Sequence, residues 1–210
     1  NLLKNLIFLY QKNKLPNKIL LKGQKGIGKS TLAYHLINFV LSKNEDFPYD
    51  IDHFKIDEKN RSFKLINNGS SPNFFLIDIQ ADKKNINIDQ IRNIIQDLNK
   101  SSLNNKPKFV LIDNSEYLNK NSINVLLKEI EEPNDNIYFI LIQNQKTLLS
   151  TLTSRFIKFN INLTNKESIH IINKLINEDI HNLVNSDFIN YYFSPGNVYR
   201  MIKFCDENNI

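Results

Sequence analysis

The run Gly23-Gln24-Lys25-Gly26-Ile27-Gly28-Lys29-Ser30, followed by Thr31, constrains this chain more than any other stretch. It fits the pattern G-x-x-x-x-G-K-[ST] in full. Glycines at these places let the backbone turn tightly, so that several N–H groups converge on one phosphate chain. The spacing assigns Lys29 to the β- and γ-phosphates, as a point charge. It assigns the Ser30 hydroxyl to Mg²⁺, which keeps few protein ligands and relies on the phosphates for others. Gly23, Gly26, Gly28 and Thr31 complete the expected phosphate-binding set, and the positive end of a following helix would face the same anion.

The flanks supply the context the motif requires. Lys18-Ile19-Leu20-Leu21-Lys22, bounded by Pro16 and Gly23, reads as a buried strand. After the motif, Leu32, Leu36, Phe39 and Val40 fall at helical spacing. With 210 residues the chain has room for one large domain, or one domain and a small second one. A chain of this length buries about 70% of its unfolded surface and needs no covalent staple. Its one cysteine, Cys205, excludes a disulfide framework and a multi-cysteine zinc site. An intracellular, reducing location fits that usage. No apolar run approaches the roughly 20 residues of a membrane span. The net charge of +5 permits contact with nucleic acid without requiring it, and no basic run interleaved with aromatics stands out.

In chain order, residues 1–13 read as a helix carrying Leu2, Leu3, Leu6, Ile7 and Leu9. Residues 42–72 turn polar and read as a loop or irregular insertion, with Phe63–Ile66 as a short strand within it. Phe74–Ile77 is the next strand, and Ile88, Ile91, Ile95 and Leu98 then define one face of a helix. Pro107 introduces the strand Phe109–Ile112. A helix over about 121–131 carries Ile123, Leu126, Leu127 and Ile130, and Pro133 is expected to stop it. Ile137–Ile142 and Phe156–Phe159 are the last strands. Strands alternating with helices predict an α/β fold with a parallel sheet covered on both faces. From about residue 162 only helices are expected. Thr164 and Glu167 make a capping-box pattern, and Ser194-Pro195-Gly196 is a turn before a last short helix. The division is therefore 1–161, a nucleotide-binding domain, and 162–210, a small helical domain.

Phosphate binding is only half of a nucleotide site. Asp113 closes an apolar strand, and ligands of open parallel sheets bind outside the carboxyl ends of the strands. An aspartate there also serves as a plain strand cap. With the intact loop upstream, the magnesium role is the stronger reading for Asp113, beside Ser30.

At this point three further runs carry a family resemblance: Val110 to Glu116, Asn124 to Pro133 (NVLLKEIEEP), and Ser154-Arg155-Phe156. The chain resembles the clamp-loader branch of the AAA+ P-loop ATPases. Within that branch it is similar to the delta-prime subunits of bacterial DNA polymerase III. Leu15-Pro16, Ile88-Asp89-Gln90-Ile91-Arg92 and Ser194-Pro195-Gly196 point the same way, and the likeness runs over nearly all of the chain. It implies an AAA+ sheet with a C-terminal helical lid, and ATP or ADP with Mg²⁺ as cofactors. Lys29 and Ser30 would belong to Walker A and Asp113 to Walker B. Gln143 or Asn144 would be sensor 1, with Asn144 the candidate carried forward. Arg155 would act in trans, as the arginine finger at a neighbouring subunit's ATP, and Lys128 and Glu131 would face the same neighbour. The implied partners are the other clamp-loader subunits, the sliding clamp indirectly, and primer-template DNA through the complex, all in the cytoplasm. The family's collar domain has no counterpart, which leads to the expectation of a fragment of a longer protein.

Departures from the family pattern matter as much. Asn114 stands where active members carry the glutamate that polarises water, and an amide is not a base. Glu116 is two residues on, which strand alternation would leave on the same side but further out. Gly196 occupies the place of the sensor 2 arginine, and Phe156 that of the cysteine of the Ser-Arg-Cys motif. Residues 41–72 hold no cysteine for the zinc module of many relatives. His35, His53, His170 and His181 lack metal-ligand spacing, so no zinc is expected. The competing reading is a self-sufficient P-loop enzyme, either a gamma/tau-like motor subunit or a small-molecule kinase. Asn114 and the absent sensor 2 arginine count against the motor. The lid segment's lone Arg200 counts against the kinase, which needs an arginine-rich lid.

Overall fold

Lys108–Ile112 is buried at every position and forms β3, near the middle of a five-stranded parallel sheet in the order β2-β3-β4-β1-β5. The computed structural model describes residues 2–100, 104–131, 136–144, 147–184 and 194–208. The strands are β1 (Lys18–Lys22), β2 (Phe74–Ile77), β3, β4 (Ile137–Gln143) and β5 (Ile157–Asn160). The helices are α1 (Leu2–Gln11), α2 (Lys29–Leu41), α3 (Arg61–Asn67), α4 (Ile88–Leu98), α5 (Lys120–Glu131), α6 (Ser150–Thr153), α7 (Asn165–Ile176), α8 (Ile180–Leu183) and α9 (Pro195–Asn208).

Period-two alternation sends side chains to opposite faces, and both faces are covered. Ile19, Leu21, Phe109, Leu111, Ile140 and Ile142 pack with the apolar stripes of α1 and α2. Leu20, Val110, Ile112, Phe139 and Leu141 pack instead with Ile91 and Leu98 of α4 and with Ile123, Leu126 and Ile130 of α5. Lys108 is buried at the start of β3, yet it is not stranded. Its ammonium donates to the carbonyls of Leu98 and Lys100, each at 2.7 Å, and so caps the C-terminus of α4.

The insertion differs from expectation. Phe63–Ile66 lies in α3, not in a strand. Asn60 caps this helix by accepting from the Phe63 N–H at 2.7 Å, and Glu45 binds both the N–H and the hydroxyl of Ser62. These local bonds decide a four-residue apolar run whose hydrophobicity alone is ambiguous. Thr164 does cap α7 with a full capping box. Ser194-Pro195-Gly196 does not make a separate turn. Pro195 and Gly196 are the first residues of the 14-residue α9, with Pro at the position where its missing N–H costs nothing. The C-terminal helices share a small core of Ile172, Ile180 and Val198. Pro133, expected to stop α5, lies outside the described residues. Among the described residues, no helix is long and apolar enough to cross a membrane.

Candidate nucleotide site

Because β4 lies between β1 and β3, three strand ends meet at one edge: Gly23 after β1, Asp113 after β3, and Asn144 after β4. The loop's root is pinned on both sides. The Gly23 N–H donates to the Gln143 carbonyl at 3.2 Å, and the Ile161 N–H donates to the Lys22 carbonyl at 2.7 Å. Gly26 (φ 87°) and Gly28 (φ 90°) both hold left-handed backbone, which a side chain would strain. Gly28 is the N-cap of α2, so the free N–H groups of that helix open into the cleft.

Lys29 is buried. Its ammonium donates to the carbonyls of Gly23 (2.9 Å) and Gln24 (2.6 Å), curled back inside its own loop. Burial lowers its pKa to about 8, against the opposing pull of Asp113 and Glu116. The Ser30 hydroxyl donates to Asp113 Oδ2 at 2.6 Å. A hydroxyl and a carboxylate so joined, beside the loop, are the hard oxygen donors a nucleotide-bound Mg²⁺ takes, and the pair fits that ion. Gly26, Gly28, Lys29, Ser30, Thr31, Asp113 and Asn144 line one cleft of about 820 Å³; Gly23 sits behind it, at the loop's root. Among the described residues, no group of three or more His, Cys, Asp or Glu is placed to hold a metal ion.

Asn114 also lines this cleft, but it is tied down at both ends. It takes left-handed backbone (φ 51°), donates from Nδ2 to Asp78 Oδ1 at 2.7 Å, and accepts from Asn144 Nδ2 at 3.0 Å. The expectation for Glu116 needs correction. The chain leaves strand geometry at Asp113, and Ser115–Tyr117 is one 3-10 turn, so strand alternation does not apply. Glu116 instead turns toward β4 and accepts from the Asn144 N–H at 3.2 Å. Gln143, the other sensor 1 candidate, is buried beneath this end.

Arg155 is not in the cleft. It precedes β5, which runs parallel to β1, so it lies at the opposite end of the sheet from the loop that follows β1. Its Nε donates to Glu131 Oε1 at 2.9 Å, and its Nη1 donates to the Thr151 carbonyl at 2.6 Å. Lys128 lies one turn before Glu131 on α5.

Sequence reasoning missed two features. The Gly196 N–H donates to the Gly26 carbonyl at 2.8 Å, so α9 begins on the phosphate loop itself. Arg200, one turn after Gly196, lines the cleft and bonds only its own helix among the described residues, through Gly196 O (3.1 Å) and Asn197 Oδ1 (2.7 Å). The signal was the i, i+4 spacing from Gly196, which puts both on one helix face.

A parallel sheet with a P-loop, an acid closing β3 and an amide closing β4 defines the AAA+ class of P-loop proteins. A Thermotoga maritima DNA polymerase III gamma subunit-related protein matches this fold with a TM-score of 0.56 at 22% identity, over 83% of this chain and 50% of that one. The family model described as DNA polymerase III, delta subunit, matches residues 1–165, and the chain belongs to that family. It is 30% identical to the DNA polymerase III subunit delta' of Pseudomonas aeruginosa over 140 residues, which is 66% of this chain and 41% of the relative. It is 30% identical to that of Buchnera aphidicola subsp. Baizongia pistaciae over 171 residues, 79% of this chain and 49% of the relative. A DNA polymerase III subunit gamma from Buchnera aphidicola subsp. Schizaphis graminum is 29% identical over 167 residues, 77% of this chain and 44% of the relative. The chain thus spans about half the length of the curated relatives it matches.

Proposed function

We propose that this chain is a delta-prime-like subunit of a cytoplasmic clamp loader. It binds ATP or ADP with Mg²⁺ in its own cleft, and its Arg155 acts at a neighbouring subunit's nucleotide while the sliding clamp is loaded onto primer-template DNA. One observation carries this reading: a complete phosphate loop at one end of the sheet and a carboxylate-paired arginine at the other. A group at that far end cannot serve its own cleft and is free to serve a neighbour.

In the cleft, the loop N–H groups and Lys29 hold the phosphates, and Ser30 with Asp113 holds the cation. Arg200 on α9, in the helical lid, lines the same cleft. Mg²⁺ would supply charge neutralisation at the β- and γ-oxygens. Lys29 has to exchange two carbonyls for phosphate oxygens, which converts neutral acceptors into charged ones and strengthens each bond. Asn114 cannot take a proton from water, and its two side-chain bonds hold it still. The isolated chain should therefore turn ATP over far below ~1 per second.

Calorimetry with Mg-ATP tests the binding half. Wild type should bind, and Lys29→Ala should lose about 1.5–3 kcal/mol, the worth of a charged hydrogen bond. Absence of any nucleotide affinity in the wild type would remove the claim. A pull-down with the other clamp-loader subunits tests the assembly half. The self-sufficient motor reading would gain if the isolated chain showed steady turnover.

A further inference from the structure

We infer that His35, held in one tautomer by Tyr49, is the base-reading residue of the cleft and donates a hydrogen bond from Nε2 to a ring nitrogen of a purine nucleotide. The inference rests on the nucleotide-binding reading above and adds to it the residue that reads the base.

Both ends of the argument lie on α2. Ser30 and Thr31 open the helix at the phosphate end. His35 is one turn beyond Thr31 on the same face, about 6 Å further along the axis. His35 lines the same cleft, to which Leu3, Leu32, Phe54, Ile171 and Leu175 contribute apolar surface. With the phosphates fixed at the glycines, the part of a nucleotide that meets an apolar wall is its base. Phe54 lines the cleft with a partly buried ring that carries the Lys4 ammonium 5.2 Å from its centroid. Its left-handed backbone (φ 53°) belongs to the turn that the Asp50 and Lys55 backbones close at 3.0 Å.

The Tyr49 hydroxyl lies 2.8 Å from His35 Nδ1, and the two rings meet edge to face. Tyr49 is buried, and burial pushes its pKa up to about 12, so it stays a phenol. Burial also lowers the pKa of His35, which favours the neutral ring. Among the described residues, the phenol hydroxyl has no other hydrogen-bond partner. A phenol O–H is a better donor than acceptor, and an imidazole nitrogen a better acceptor than a phenol oxygen. The phenol therefore donates to Nδ1, and the ring proton must reside on Nε2. Nε2 has no partner among the described residues, and Tyr49 does not line the cleft, so Nε2 is the ring atom left to meet a ligand.

An N–H set in an apolar wall asks for an acceptor in the plane of an aromatic ring. Adenine presents three such acceptors, the lone pairs of N1, N3 and N7, and carries no carbonyl oxygen to compete with them. A purine also gives the larger face to Phe54 and the leucines. In the ATP or ADP of the reading above, the acceptor is thus an adenine ring nitrogen.

The test is equilibrium binding of Mg-ATP, of inorganic tripolyphosphate, and of 1-, 3- and 7-deaza-ATP to the wild type and to His35→Phe, His35→Gln and Tyr49→Phe. His35→Phe should weaken Mg-ATP about five- to tenfold, the worth of one hydrogen bond, and leave tripolyphosphate unchanged. One deaza analogue should bind the wild type weaker by the same factor and lose nothing further in His35→Phe. His35→Gln, which keeps a donor, should stay within about twofold of the wild type. Tyr49→Phe should shift the ¹⁵N signals of His35 toward a mixture of tautomers, a readout that lost packing alone would not give. Equal weakening of Mg-ATP and tripolyphosphate in His35→Phe, or no analogue coupled to it, would overturn the inference and leave the phosphate site standing. A wild type that binds neither Mg-ATP nor tripolyphosphate would overturn the underlying reading as well.

Discussion

Lys29 makes nucleotide affinity depend on pH in a way that can be worked out from its surroundings. In the free protein, burial holds its pKa near about 8. A bound phosphate chain puts negative oxygens against the ammonium and raises that value. Binding therefore takes up a proton at any pH between the free and bound values, and affinity falls as pH rises through the free value. At pH 7 about nine-tenths of free molecules carry the charge, and at pH 9 about one-tenth do, so Kd for Mg-ATP should rise about tenfold across that interval. The neighbouring aromatic groups do not supply the effect. Burial keeps His35 neutral over the range, and Tyr49, near about 12, keeps its proton. Calorimetry at pH 8.5 in two buffers of different ionisation enthalpy should show uptake of about three-quarters of a proton. In Lys29→Met, affinity should be weaker and flat with pH. Tight wild-type binding that is equal at pH 7 and pH 9, with no proton uptake, would refute the argument, because the burial of Lys29 would then not control its charge.

Three substitutions probe other parts of the account. Asn114→Glu breaks two side-chain bonds, puts a second carboxylate beside Asp78 and places glutamate in left-handed backbone. Thermal denaturation should show a loss of about 1–3 kcal/mol, and an unchanged midpoint would mean that the network does not hold Asn114. Lys108→Met keeps the packing but leaves the last carbonyls of α4 without a donor. Urea unfolding should record a loss of about 1–3 kcal/mol, and a neutral result would deny the cap. Gly196→Val sets a side chain against the Gly26 backbone and should push α9 off the phosphate loop. Amide exchange at Gly26 to Ser30 should then speed up, whereas unchanged protection would show that the contact carries no load.

Much of this was legible in the residues. Short apolar runs bounded by Pro, Gly or Asp marked the strands, because a parallel strand is buried on both faces. The phosphate loop announced itself, because few other uses need glycines at those spacings. The place of Asp113 at the carboxyl end of a strand followed from the apolar run that it closes. What stayed hidden depended on partners distant in the chain. Phe63–Ile66 became helical because Asn60 caps it and Glu45, 17 residues earlier, holds Ser62. Glu116 binds the Asn144 N–H because the chain leaves strand geometry at Asn114 and brings that N–H within reach. The pairing of Gly26 with Gly196 joins residues 170 positions apart, and no local pattern encodes it. Arg200 was visible as a lone arginine, but its place in the cleft depended on that same contact.

The central claim is that Arg155 works on a neighbour's nucleotide and not on its own. Its side chain is partly exposed and its pairing with Glu131 is a surface one, worth at most about 1 kcal/mol, so it can release Glu131 for a phosphate at little cost. A guanidinium holds two phosphate oxygens at once where an ammonium holds one, so lysine should not substitute for it. The direct measurement is DNA-stimulated ATP turnover of the reconstituted complex carrying Arg155→Lys or Arg155→Ala, with Mg-ATP binding to the variant chain measured alongside. Turnover at the neighbouring site should fall by about 10³-fold or more in both variants, while assembly and the chain's own nucleotide affinity stay as in the wild type. Turnover equal to the wild type in both would reduce Arg155 to a surface charge and contradict the account.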